Sequence, residues 1–203
     1  MSETFFFDQK SNAKVTYKNL LSLLNQNVIS FSPYCYTRKI DDIFMNIIYA
    51  MYLNKELTLL DYDFKSDELR KSIGRKSIPK PKKIKNSAEV KSFESLIKIL
   101  LKNSRWKLNL FTSGTTGPPQ KATHNAKSLL KGIRIAQKHR SYTWGLAYNP
   151  THIAAIQVFL QALLNKNTII NIFNYSIIDT FKIIKRYNIT HISATPTYYR
   201  LIS

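Results

Sequence analysis

The residues best suited to chemistry lie together in Thr112-Ser113-Gly114-Thr115-Thr116-Gly117, where two glycines and four hydroxyls follow an apolar run. Glycines permit positive φ and close backbone approach, so successive N–H groups can converge on an anion while the hydroxyls donate further hydrogen bonds. A polyphosphate is the natural ligand of such a turn. It is not a Walker loop, because no glycine is followed at the required distance by Lys and Ser/Thr. The plainer alternative is a surface turn rich in Ser, Thr and Gly, which these residues form for local reasons. Elsewhere, Cys35 is the single cysteine and no Cys/His cluster has metal-ligand spacing, so the sequence offers neither a disulfide nor a metal centre.

Around that loop the pattern predicts strands alternating with helices. Val15 to Leu24 reads as a short strand entering a helix. Asp41 and Asp42 suit the amino end of a helix through Met51, where acids complement the macrodipole. Leu57 to Leu60 reads as a buried strand closed by Asp61, and Ser66 to Ile73 as a helix ending at Gly74. Val90 to Leu101 is helical by its apolar spacing, and Trp106 to Phe111 is a strand running into the loop. Further helices are expected over Ser128 to Lys138, over His152 to Leu164 and around Ile177, Ile178, Phe181 and Ile184. Strands are expected over Thr168 to Phe173 and Ile189 to Ala194. This alternation indicates an α/β fold of parallel βαβ units. Arg75 to Lys85, with two prolines and many lysines, reads as an exposed loop, dividing the chain into a lobe over 1–74, a Lys/Pro-rich connection over 75–88 and a lobe over 89–203.

Composition bounds the function. The chain has 203 residues, 44% hydrophobic and 12% aromatic, enough for a substantial core. Its 31 basic against 12 acidic side chains leave +19, which invites a polyanion-binding reading. The basic residues are nearly all lysines spread along a Lys-, Asn- and Ile-rich chain, so a biased vocabulary explains the charge better and nucleic acid is an unfavoured partner. The start, with Glu3, Phe5 to Phe7 and Asp8, lacks the basic opening and long apolar run of a signal peptide. No apolar stretch approaches the roughly 20 residues of a membrane span. A soluble, cytoplasmic protein is expected.

The segment Phe111 to Lys121, FTSGTTGPPQK, closely resembles the TSGTTG-x-PK signature of the adenylate-forming superfamily, which includes acyl-CoA synthetases, luciferases and peptide-synthetase adenylation domains. The resemblance implies that Thr112, Ser113, Gly114, Thr115, Thr116 and Gly117 clasp the β- and γ-phosphates of ATP while a carboxylate attacks the α-phosphate. Pro119 falls on the motif proline, but Gln120 falls on the motif lysine, with Lys121 one place later. Gln120 donates hydrogen bonds without offsetting phosphate charge, which leaves Lys121 as the cation to do so. Ala147 to Ala154 resembles the segment opening a helix at the edge of the acyl pocket and makes His152 a pocket or gate residue. No Asp lies between Trp144 and Gln157 to pair with an amino acid's ammonium, so a simple carboxylic acid is the expected substrate.

Resemblance extends by order and spacing from about Val15 to Ser203. It implies part of the large N-terminal domain of such an enzyme. The superfamily's later landmarks are an aromatic-Gly-x-Thr-Glu segment that holds adenine and Mg²⁺, a ribose-binding Asp and a lid lysine. These do not occur in the 203 residues, so catalytic residues are not assigned and a truncated chain, inactive alone, is expected. The intact enzyme would use ATP and Mg²⁺, form an acyl-adenylate and pass the acyl group to coenzyme A or a carrier-protein thiol. A second chain carrying the missing part is a candidate partner. Two other readings stay open, a non-catalytic nucleotide-binding remnant and a basic polyanion-binding protein.

Overall fold

A computed structural model describes residues 3–74, 77–86, 89–112 and 119–202. Along the chain these form β1 (Thr4–Asp8), β2 (Ala13–Thr16), α1 (Tyr17–Leu24), β3 (Val28–Phe31), β4 (Tyr34–Tyr36), α2 (Ile40–Leu53), β5 (Glu56–Leu60) and α3 (Ser66–Ile73). They continue with β6 (Lys82–Lys85), α4 (Phe93–Lys102), β7 (Lys107–Thr112), β8 (Gln120–Asn125), α5 (Ala126–Leu130), β9 (Thr143–Leu146), α6 (Ile153–Leu164), β10 (Thr168–Asn171), α7 (Ile177–Tyr187), β11 (His191–Ser193) and α8 (Pro196–Ile202). The fold is α/β with parallel strands flanked by helices, as the alternation predicts. Two compact units divide the chain, one of residues 1–19 with 133–203 and one of residues 20–132.

The first unit holds a sheet in the order β11-β9-β10-β1-β2, parallel except for the β1/β2 pair. Its centre is β10, in which all of Thr168, Ile169, Ile170 and Asn171 are buried, the pattern of a parallel strand covered on both faces. Beside it β1 places Phe6 opposite Ile169 and Phe7 opposite Ile170. Phe5 packs its ring against Tyr17 and Phe159, with centroids 5.3 and 6.0 Å apart. Tyr17 is buried and its hydroxyl donates to the Asn167 carbonyl at 2.6 Å. At the carboxyl ends of β1 and β10, buried Asp8 accepts from Asn171 Nδ2 (3.0 Å), the Tyr175 hydroxyl (2.9 Å) and the amides and hydroxyl of the following turn.

The second unit holds a sheet in the order β4-β5-β7-β8, with β4, β5 and β7 parallel and β8 antiparallel, and a separate antiparallel β3/β6 ribbon. Helix α2 lays Ile43, Phe44, Ile47, Ile48 and Met51 into its core, with Asp41 and Asp42 in the first turn. It ends at Asn54 in the left-handed region (φ 56°), whose N–H reaches the Ala50 and Met51 carbonyls. Helix α3 ends at Gly74, φ 61°, as its position predicts.

Several expectations are corrected. The chain divides at residues 19/20 and 132/133 rather than at 75–88, because β1 pairs with β10 and so carries the amino terminus into the sheet of the carboxyl-terminal half. Lys82 to Lys85 is not a loop but the strand β6, pairing Ile84 with Ile29, although its lysines stay exposed. The helix expected from Ser128 to Lys138 stops at Leu130, followed only by a short 3₁₀ turn at Gln137–His139. Ile135 is exposed, so no buried stripe continues, and the Arg134 backbone is satisfied by side chains of Gln161 and Asn165 instead of by helix bonds. On α7 the buried positions are Thr180 and Ile183, while Ile178 and Phe181 are exposed. Phe5 to Phe7, read only as an apolar patch, are the heart of β1.

Candidate phosphate-binding hairpin

Trp106, fully buried with its indole N–H on the Asn103 carbonyl (3.1 Å), anchors the entry to β7. Along β7 alternate side chains part company. Leu108 and Leu110 are buried on one face, and Asn109 is buried on the other among polar partners. Asn109 Nδ2 donates to Glu56 Oε1 at 2.6 Å and to Thr58 Oγ1 at 3.0 Å, while its Oδ1 accepts from Thr123 Oγ1 at 2.7 Å. Both N–H donors and the oxygen of the buried amide are thereby engaged, as a polar group in a sheet interior requires. The three strands β5, β7 and β8 are stitched together at this one residue.

β7 and β8 pair antiparallel, with Thr112 opposite Gln120 and Phe111 opposite Lys121, so the motif connects two paired strands. Ser113, Gly114, Thr115, Thr116 and Gly117 lie outside the described residues, and Thr112 ends β7. Gln120 and Lys121 open β8, both exposed. Successive strand residues face opposite sides, so the one-residue displacement of the lysine puts it on the other face of the hairpin from Gln120. That face is the polar one. Lys121 Nζ lies 3.9 Å from Glu56 Oε1, both side chains about half exposed.

At the carboxyl ends of β4, β5 and β7, where parallel α/β sheets place their ligands, aromatic rings brace the backbone. Phe64 meets Phe111 edge-on at 5.5 Å, and Tyr36 stacks on Tyr62 at 4.8 Å. The Arg38 guanidinium lies 4.3 Å from the Tyr62 centroid and pairs with Asp63 at 3.7 Å.

His152 lies in the first unit, exposed, immediately before α6. The turn that presents it is held by Asn149, whose Oδ1 accepts from the Thr151 amide and hydroxyl at 3.0 and 2.9 Å. Cys35 is buried, and burial, with Asp42 nearby, pushes its thiol up to about 12, so it is a packing residue and not a nucleophile. Among the described residues no group of three His, Cys, Asp or Glu could hold a metal ion, and no helix is long and apolar enough to cross a membrane.

No family model and no curated protein matches this sequence. Solved structures do match the fold. O-succinylbenzoate coenzyme A synthetase (MenE) from Bacillus subtilis, in complex with AMP, superposes with a TM-score of 0.62 at 13% identity, over 98% of this chain and 60% of its own. The N-terminal domain of FACL13 from Mycobacterium tuberculosis gives 0.61 at 12% identity, over 99% and 61%. The luciferase-like enzyme of the nonluminescent mealworm Zophobas morio gives 0.65 at 14% identity, over 98% and 57%. The fold is that of the N-terminal part of an acyl-CoA synthetase. The chain spans about 60% of the length of the first of these synthetase structures. Within the synthetase fold, sequence reasoning missed Glu56 and Asn109. Along Trp106 to Phe111 apolar and polar positions alternate, which puts Asn109 on the polar side and gives no sign that it is buried.

Proposed function

We propose that this chain is the ATP-phosphate-binding portion of an AMP-forming carboxylic acid ligase, whose complete form makes an acyl-adenylate and passes the acyl group to coenzyme A or a carrier-protein thiol. The observation that carries this reading is the TSGTTG sequence at the connection of a hairpin that follows a parallel strand, within a synthetase fold. Thr112 to Gly117 would offer backbone N–H groups and hydroxyls to the β- and γ-phosphates, Gln120 a neutral donor and Lys121 the compensating charge. His152 would border the acyl pocket. MenE from Bacillus subtilis has been solved in complex with ATP and magnesium ion. In the complete ligase the aromatic-Gly-x-Thr-Glu segment, which the 203 residues do not contain, would hold the magnesium.

Equilibrium binding tests the phosphate site directly. The chain binds ATP, and Thr115→Ala and Thr116→Ala each weaken binding by roughly tenfold, the loss of one hydrogen bond to a charged group. Absence of ATP binding at millimolar concentration overturns the reading. Catalysis is tested by supplying a synthetase carboxyl-terminal portion, in the same or a second chain, and measuring carboxylate-dependent ATP–pyrophosphate exchange. Nucleotide binding without exchange in that complemented protein would favour the non-catalytic alternative.

A further inference from the structure

We propose that Glu56 is a positioning residue that holds Lys121 away from the phosphate loop until a polyphosphate draws it off. This rests on the phosphate-binding reading of the TSGTTG connection. Lys121 pairs by backbone with Phe111, one residue from the end of β7, whereas Glu56 pairs near its start, opposite Lys107. Their side chains nevertheless meet, over Asn109, so the lysine extends back along the sheet toward the start of β7.

The two contacts of Glu56 differ in kind. Asn109 Nδ2 donates to its carboxylate at 2.6 Å and is itself locked by Thr58 and Thr123, so the acid is fixed from beneath. The ammonium stands 3.9 Å off and both partners are about half exposed. An exposed pair of this kind is worth roughly 0–1 kcal/mol, little enough for several phosphate charges to outbid. The displaced lysine at position 121 is thus parked by a carboxylate on the sheet face to which its displacement assigns it.

The test measures binding of inorganic pyrophosphate to the full chain by calorimetry, for the wild type, Glu56→Gln, Lys121→Met and the double variant. Gln keeps an oxygen for Asn109 and loses the charge. E56Q is expected to tighten binding about two- to fivefold, the fold-change of a weak exposed pair. The same substitution in the K121M background is expected to change affinity by less than about 1.5-fold, since half-exposed charges act weakly at longer range. Loss of the gain in the double variant supports a role through Lys121. An unchanged affinity for E56Q, or an equal gain in K121M, overturns the assignment while leaving the phosphate site standing. No pyrophosphate binding by any of the proteins overturns the phosphate-site reading and this assignment with it. Should E56Q not fold, as judged by circular dichroism, Glu56→Ser removes the same charge and is held to the same outcomes.

Discussion

The two sheets handle polar groups in opposite ways. In the first unit the middle of the sheet is apolar, with Ile169, Ile170, Phe5 and Phe6 filling it, and the polar network of Asp8, Asn171 and Tyr175 sits at the strand ends, where it ties down a turn. In the second unit the polar network of Glu56, Thr58, Asn109 and Thr123 crosses the middle of the sheet. Burying polar atoms costs more than burying methyl groups unless every one is paired. The first arrangement serves stability. The second joins three strands behind the hairpin and leaves a carboxylate where the lysine at position 121 reaches it.

The sharpest way to break the first sheet is Gly145→Val. A Cβ there would lie 2.8 Å from Ile172 Cδ1 and 3.1 Å from Ile192 Cγ1, so the side chain overpacks the cluster of Ile170, Ile172 and Ile183. A loss of roughly 3 kcal/mol is expected, read as a lowered urea midpoint from the fluorescence of Trp144, with Trp106 replaced by Phe. An unchanged midpoint would show that the sheet yields to the added side chain.

Next in size, Asn109→Ala in the second sheet strands the partners of a buried amide and is expected to cost about 2 kcal/mol. Trp106, with Trp144 replaced by Phe, reports it. If the cost were near zero, the polar row would not be what joins β5, β7 and β8.

The smallest effect concerns pH. Burial raises the Asp8 carboxyl, but the hydrogen bonds from Ser11, Asn171, Tyr175 and the Lys10 amide outweigh it and hold the group below its ordinary 3.8. Asp8 therefore contributes stability that is fully present above that ordinary value and is lost as pH falls through the lower folded value. Asp8→Asn should lower the melting temperature at pH 7 and flatten the acid limb below about pH 4. An acid limb identical to that of the wild type would remove Asp8 from it. Its partner Tyr175, raised to about 12 chiefly by burial and by the bond to Asp8, stays protonated throughout that range.

What could be read along the chain was local. Asp41 and Asp42 open α2, Gly74 closes α3 with φ 61°, and of the apolar positions read as the buried face of α6, Ile156, Phe159, Leu160, Leu163 and Leu164 are buried while Ile153 is exposed. Each depends on neighbours within a turn or two, which is why sequence suffices. The motif Thr112 to Gly117 stands out for the same reason, four hydroxyls and two glycines within six consecutive residues, and the phosphate chemistry assigned to it is the proposal made above. The short helix after β8 was misread because apolar residues at helical spacing do not report that Gln161 and Asn165 will claim the Arg134 backbone.

Sequence by itself thus determined the alternation of strands and helices, the acidic first turn of α2 and the glycine cap of α3. Tertiary structure alone decided that β1 joins β10 across most of the chain, and that Glu56, Asn109 and Lys121 converge on one face. Register is the physical reason. Strand pairing distributes side chains between the two faces of a sheet, and a shift of one residue moves a charge from one face to the other. No local pattern around Lys121 states which carboxylate waits there.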